Sequence, residues 1–137
     1  MGRVSIKGVL LGIVTDVGAS VAAGMILLPL FAGGSVSEQM SAEDIDEVIR
    51  QITQDSAFLI TNFVVGLSCS ALGGYVAARV AKKDVYLNAG LVGLFGVLLG
   101  ALNLSGEYPI WFNVGGLLLV IPATLFGGEI ASRRMTR

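Results

Sequence analysis

The chain has 137 residues, of which 54% are hydrophobic and 14% charged, with a mean hydropathy of +0.80. A soluble domain carries about 25% charged residues, so this composition excludes an ordinary soluble fold and indicates a chain that lives in lipid. A formal charge of −1 gives no bulk attraction to nucleic acid; the absence of His removes triad hydrolysis, imidazole zinc sites and His-ligated haem; and a lone Cys69 can form neither an internal disulfide nor a thiolate cage.

About 20 apolar residues in a helix cross a bilayer. The first such run, 8–32, follows Arg3 and Lys7 and is interrupted only by Asp16. It is about twice as long as the apolar core of a secretory signal peptide, so a retained span is expected. Gly33-Gly34-Ser35 ends it. The segment 33–55 is acidic, and Ser41-Ala-Glu-Asp44 reads as a capping box that starts a short helix. Ile45, Val48, Ile49 and Ile52 follow at helical spacing, giving an amphipathic helix that lies on the end of the bundle or in the lipid interface. It can serve as a lid or docking element, or simply cover a long connection, which is the simpler reading.

Two further spans, 56–78 and 85–106, are free of charge for 23 and 22 residues, and the fourth, 108–131, for its first 21. Polar faces at helical period, as in a soluble bundle, are absent, and so is the alternation of barrel strands. The expected fold is an all-α, polytopic membrane protein, a single domain over 1–137, with four transmembrane helices as two antiparallel hairpins and the amphipathic helix in the first external loop. Lys82-Lys83-Asp84 and Ser105-Gly106-Glu107-Tyr108-Pro109 make the short turns, and Tyr86, Tyr108 and Trp111 fall at membrane boundaries.

Basic residues accumulate on the cytoplasmic side. Arg3, Lys7, Arg79, Lys82, Lys83, Arg133, Arg134 and Arg137 fall on one side; Arg50 falls on the other, with Glu38, Glu43, Asp44, Asp46, Glu47, Asp55 and Glu107. Both termini are therefore expected in the cytoplasm, in a prokaryote at the inner membrane.

Small residues let helices approach closely in lipid. They form seams here: Gly8, Gly12, Asp16, Ser20 and Gly24; Gly66, Ser70, Gly74 and Ala78; Gly96 and Gly100, with Ala89 and Gly93 assigned to another face; and Ala123, Gly127 and Ala131. Such seams on all four helices exceed what one thin bundle uses, so contacts with another subunit are expected. The second and fourth spans also repeat: Leu72-Gly73-Gly74-Tyr75-Val76-Ala77-Ala78-Arg79 matches Phe126-Gly127-Gly128-Glu129-Ile130-Ala131-Ser132-Arg133 at an offset of 54. Val9-Leu-Leu-Gly12 and Val97-Leu-Leu-Gly100 repeat more weakly. A duplicated hairpin explains this as well as a transporter repeat does.

Asp16 is the first candidate for function, because a carboxylate in hydrocarbon costs on the order of 3 kcal/mol and usually marks a polar pathway or a partner. Counting from the cytoplasmic ends places Ser70 and Thr124 at its depth, as hydrogen-bond partners. Glu129 is the other membrane-depth carboxylate, with Arg133 one turn on as an ion pair. Pro122 predicts a kink beside this level, with Thr124 able to satisfy a freed carbonyl. Asn62, Asn88, Asn103 and Asn113 read as interfacial. Cys69 reads as a small apolar residue, and the glycine-rich segments lack the Lys-Ser/Thr ending of a phosphate loop.

With Gly73-Gly74 and Gly127-Gly128 ending the second and fourth spans, and Ala89-Gly90-Leu-Val-Gly93 after the basic turn, the chain resembles small four-span membrane proteins of prokaryotes with such Gly-Gly endings. The resemblance implies this layout and brings no chemistry with it. The reading that follows is a protein without enzymatic activity, cofactor or metal, whose partners are the lipid bilayer and further copies of itself or other membrane subunits. The alternative is a small oligomeric proton or ion channel or transporter that uses Asp16.

Overall fold

The computed structural model describes residues 4–35, 37, 39–102, 104 and 108–136. They form five helices, Ile6–Ala32 (α1), Ala42–Gln54 (α2), Ser56–Ala81 (α3), Val85–Leu102 (α4) and Ile110–Met135 (α5), with no strand among the described residues. All but α2 are long and apolar enough to cross a membrane, as expected of a multi-pass membrane protein. Arg3, Glu38, Asn103, Glu107 and Arg137, and residues 105–107 of the turn expected at 105–109, lie outside the described residues.

Each boundary has a local cause. Ser5 caps α1 by accepting a hydrogen bond from the Gly8 N–H at 3.1 Å, so the helix starts two residues before the expected span. Gly33 ends it in the left-handed conformation (φ 56°), its N–H donating to the Pro29 carbonyl, and Gly34 continues the turn at φ 79°. Asp55 caps α3 through the Phe58 N–H at 2.9 Å. α4 stops at Leu102, short of the expected residue 106. α5 starts after Pro109, whose fixed φ suits a helix entrance, and runs on to Met135.

α2 carries the predicted capping box in full. Ser41 Oγ accepts from the Asp44 N–H at 3.2 Å, and the Asp44 carboxylate accepts from the Ser41 N–H at 3.1 Å. Ile52 is buried with Leu27 and Phe58, while Val48 and Phe31 pack against them and the Phe31 and Phe58 rings meet edge to face at 5.4 Å. α2 is thereby fastened to the ends of α1 and α3. Ile49, at the edge of the stripe, remains exposed.

The Ser41 hydroxyl, and after it the Ser41 N–H, hold the Asp44 carboxyl below the usual carboxylate range. Its contribution to the cap is thus complete above the unfolded value, near pH 3.9, and is lost as pH falls through the lower folded value. Protection factors over 42–45, which correct for the intrinsic pH dependence of amide exchange, are expected to fall below about pH 4 while the core of α3 stays protected. Unchanged protection factors in acid would contradict the cap's role.

The long helices meet through their small residues. A Cβ added at Gly8 would lie 2.9 Å from the Ala77 carbonyl oxygen; at Gly12, 2.8 Å from the Gly73 carbonyl oxygen, the Ala77 methyl and Val92; at Gly73, 2.8 Å from the Gly12 carbonyl oxygen. Gly74 lies against the Thr124 backbone and Gly127 against the Ala71 carbonyl, so α3 and α5 cross backbone to backbone. These approaches exist only because no side chain intervenes. Ala77, Ala78, Ala89 and Ala131 are fully buried among them.

Two seam assignments differ from expectation. Ala89, Gly93, Gly96 and Gly100 form one line, not two faces: they pack in order against Gly128, Ile121 with Thr124, Val120, and Leu117 of α5. Spacings of four, three and four keep a nearly constant direction on a helix, which four-residue steps alone do not. The weaker repeat also has no structural counterpart. Gly12 sits beside the Gly-Gly pair of α3, whereas Gly100 sits against Leu117, ten residues before the pair in α5.

At one end of this bundle lie Lys7, Arg79, Lys82, Lys83, Arg133 and Arg134, brought together by the contacts of Gly8 with Ala81, of Gly128 with Val85 and of Ser5 with Asn88. This is the basic end. α2 and its acidic residues lie at the other, the acidic end.

Candidate functional site

Asp16 is buried, 8% exposed, where the tight and loose halves of the bundle meet. Its Oδ1 accepts a hydrogen bond from the Ser70 hydroxyl at 3.1 Å. Its Cβ faces the Gly73 position of α3, and its Oδ2 points at α4, 3.9 Å from where a Gly96 Cβ would stand. No described donor reaches Oδ2. Yet no enclosed side-chain oxygen lacks a partner among the described residues, so Oδ2 retains access to open space.

That space lies toward the acidic end. One cavity of about 240 Å³ is lined by Ser20, Asn62, Gly66 and Ser70; a neighbour of about 250 Å³ by Gly96, Gly100, Tyr108 and Asn113; and both share Phe112, Gly116 and Val120. The glycines explain why the space is there. Cβ atoms added at Gly24, Gly66 and Gly116 meet nothing within 4 Å among the described residues, while those at Gly8, Gly12, Gly73, Gly74, Gly93 and Gly127 strike neighbours. Gly96 and Gly100 are intermediate, touching Val120 at 3.0 Å and Leu117 at 2.9 Å. The predicted seams are therefore packed below Asp16 and largely unfilled above it, so Gly24 and Gly66 are not packing residues within one chain.

The four predicted polar residues do not form one site. Asp16 and Ser70 are paired. Thr124 is fully buried but turns away, its hydroxyl donating to the Ile121 carbonyl at 2.9 Å and occupying the space that Gly93 vacates. Counting depth along a helix does not fix azimuth, and Thr124 belongs to the crossing of α3, α4 and α5. Nor does Thr124 repair the carbonyl that Pro122 leaves unpaired, which belongs to Leu118. α5 continues as helix through Pro122, which is exposed and stands outside the Asp16 cavity.

Glu129 lies near the basic end. Its Oε1 accepts from Arg133 Nε at 2.6 Å and its Oε2 from the Tyr86 hydroxyl, which fastens α4 to α5. Tyr86 thus has a specific partner beyond its role at a membrane boundary. Cys69 is buried and free.

Asn88, read from sequence as interfacial, is completely buried. Its Oδ1 accepts from the Ser5 N–H at 2.7 Å, and its Nδ2 donates to the Lys83 and Asp84 carbonyls at 3.1 and 3.0 Å. It locks the start of α1 to a turn in which Lys82 (φ 58°) and Asp84 (φ 43°) are both left-handed, a conformation costing about 1–2 kcal/mol per non-glycine residue. An Asn one turn into a helix after Lys-Lys-Asp offers a weak local signal for capping the turn. Nothing in the sequence names Ser5, 83 residues away, as its other partner.

Comparison with protein-family models, curated proteins and solved structures returns no match.

Proposed function

We propose that the chain is a non-enzymatic subunit of a prokaryotic inner membrane, with both termini in the cytoplasm, its long helices arranged as two antiparallel hairpins and α2 covering the external end. It acts through helix packing, as a homo-oligomer or as an accessory subunit of a membrane complex. The gathering of the basic side chains at one end supports this orientation. The likeness to small four-span prokaryotic membrane proteins, resting on Gly73-Gly74 and Gly127-Gly128, belongs to the same proposal.

The observation that carries the packing reading is the unfilled seam. Ser20 and Gly24 continue the stripe that binds α3 lower down α1, and Gly24 meets no described atom within 4 Å. Val14, Val17, Val21 and Met25 flank it, all exposed. Small residues between branched ones suit a second transmembrane helix as well as lipid. The test is the mass of the purified protein in detergent, corrected for bound detergent. A multiple of 14.2 kDa is expected, falling toward the monomer in Gly24→Leu, with unchanged circular dichroism as the check on its fold; the first added carbon meets no described atom within 4 Å. A strict 14.2 kDa monomer for the wild type would refute the homo-oligomer.

A second reading, a small channel or transporter that uses Asp16, is favoured by one observation: its Oδ2 lies 3.9 Å from the Cβ position of Gly96, and Gly96 lines a cavity. It requires ion or proton flux into liposomes that Asp16→Asn abolishes.

A further inference from the structure

We infer that Asp16 is a proton-binding site that exchanges with water at the acidic end only, the cavity between α1, α3, α4 and α5 being closed beyond it. This rests on the second reading above and names its ion and its side.

The ligand set selects the proton. Among the described residues Asp16 has one carboxylate oxygen without a hydrogen bond, and the other meets the Ser70 hydroxyl. A hard metal cation takes about six oxygen ligands, and the described residues contain no group of three His, Cys, Asp or Glu. A proton needs a single lone pair. No charge competes for it among the described residues in contact: Asp16 meets Ser70 and Gly73 on α3 and Gly96 on α4. A carboxylate held in hydrocarbon without a counter-charge is neutralised by protonation or by a partner, and no cationic partner among the described residues is in contact.

Packing sets the side. Toward the basic end the next turn is closed, with Gly12 against Gly73, Ala77 and Val92, and Gly74 and Gly93 against Thr124. Toward the acidic end, Ser20, Asn62 and Asn113 give the cavity polar groups that water can use. In the binding step a hydronium ion in the cavity gives its proton to Oδ2 and leaves as water. The carboxylate becomes a neutral acid, Oδ1 keeps the Ser70 hydrogen bond, and release reverses the step.

The test uses the full chain in proteoliposomes and two kinds of label. Dicyclohexylcarbodiimide, which adds to protonated carboxyl groups, is expected to give one adduct on Asp16, declining about tenfold per pH unit above its titration and absent in Asp16→Asn. In a Cys69→Ala background, Ser70→Cys and Gly116→Cys are expected to react with a membrane-impermeant methanethiosulfonate at least about tenfold faster from the acidic end than from the basic end. The Cβ that Gly116→Cys adds meets no described atom within 4 Å, so this variant reports on the cavity even if Ser70→Cys disturbs the fold. Labelling that is independent of pH or persists in Asp16→Asn, equal thiol rates from both ends, or no reaction of Gly116→Cys from the acidic end would each overturn the inference. These labels read occupancy and access rather than transport, so their failure is distinct from failure of the flux that the second reading requires.

Discussion

Gly127→Ala is expected to destabilise the protein by about 3 kcal/mol or more, because the added methyl meets backbone that cannot rotate away. It would overlap the Ala71 carbonyl and stand 2.9 Å from the Tyr75 nitrogen. Gly74→Ala does the same from the other helix, 2.7 Å from the Thr124 Cα. Either change pushes α3 off α5 and strips the neighbouring small residues of their close contacts, each weak alone and large in sum. Gly66→Ala is the control. Nothing described lies within 4 Å of the new methyl, and a helix-interior glycine is less favourable than alanine by about 0.5–1 kcal/mol, so this variant is expected to match or slightly exceed the wild type. Denaturation by dodecyl sulfate from mixed micelles, followed by circular dichroism, compares the three. Equal losses for Gly127→Ala and Gly66→Ala would mean that the α3–α5 register is wrong.

Asn88→Ala is expected to cost roughly 2 kcal/mol, because the part-buried Ser5 N–H loses its acceptor and the Lys83 carbonyl its side-chain donor, while the Asp84 carbonyl keeps the backbone N–H of residue 88. The strain of Lys82 and Asp84 makes the effect local as well as global, since the turn they form is held by that amide. Amide exchange should therefore rise first at 5–9 and around 82–88. Asn88→Asp separates the two functions. A carboxylate can still accept from Ser5 but cannot donate to the turn, so the start of α1 should keep more protection than the turn does. Loss of protection spread evenly over all four long helices would show that Asn88 is ordinary filling, not a latch.

These two substitutions mark the limits of what the sequence discloses. The spans are readable because lipid demands long apolar runs, and α2 because Ser41 and Asp44 form a cap with a fixed spacing. The glycine seams are readable as small surfaces, but their occupancy is not. Gly12 and Gly24 stand on the same stripe in sequence, yet one touches α3 and α4 and the other touches nothing described. What separates them is which neighbours the whole bundle brings to each level of α1. Depth is readable by counting, which brought Ser70 and Thr124 level with Asp16. Azimuth decides that Ser70 reaches the carboxylate while Thr124 bonds to its own helix. Asn88 has a partner too distant in sequence for any local pattern to reveal.

Glycine contacts close the bundle from Gly73 to the basic end, and cavities lined by Ser70, Gly66, Asn62 and Asn113 lie on the other side of Asp16. A reactivity profile along α3 tests this arrangement most directly, with single cysteines at Asn62, Gly66, Ser70, Ala77 and Ala78 in a Cys69→Ala background and a water-soluble thiol reagent applied to the protein in bilayers. Reaction is expected at the first three positions and, at Ala77 and Ala78, both fully buried, rates at least about tenfold slower. A profile without a step between Ser70 and Ala77, whether all five react or none does, would contradict it.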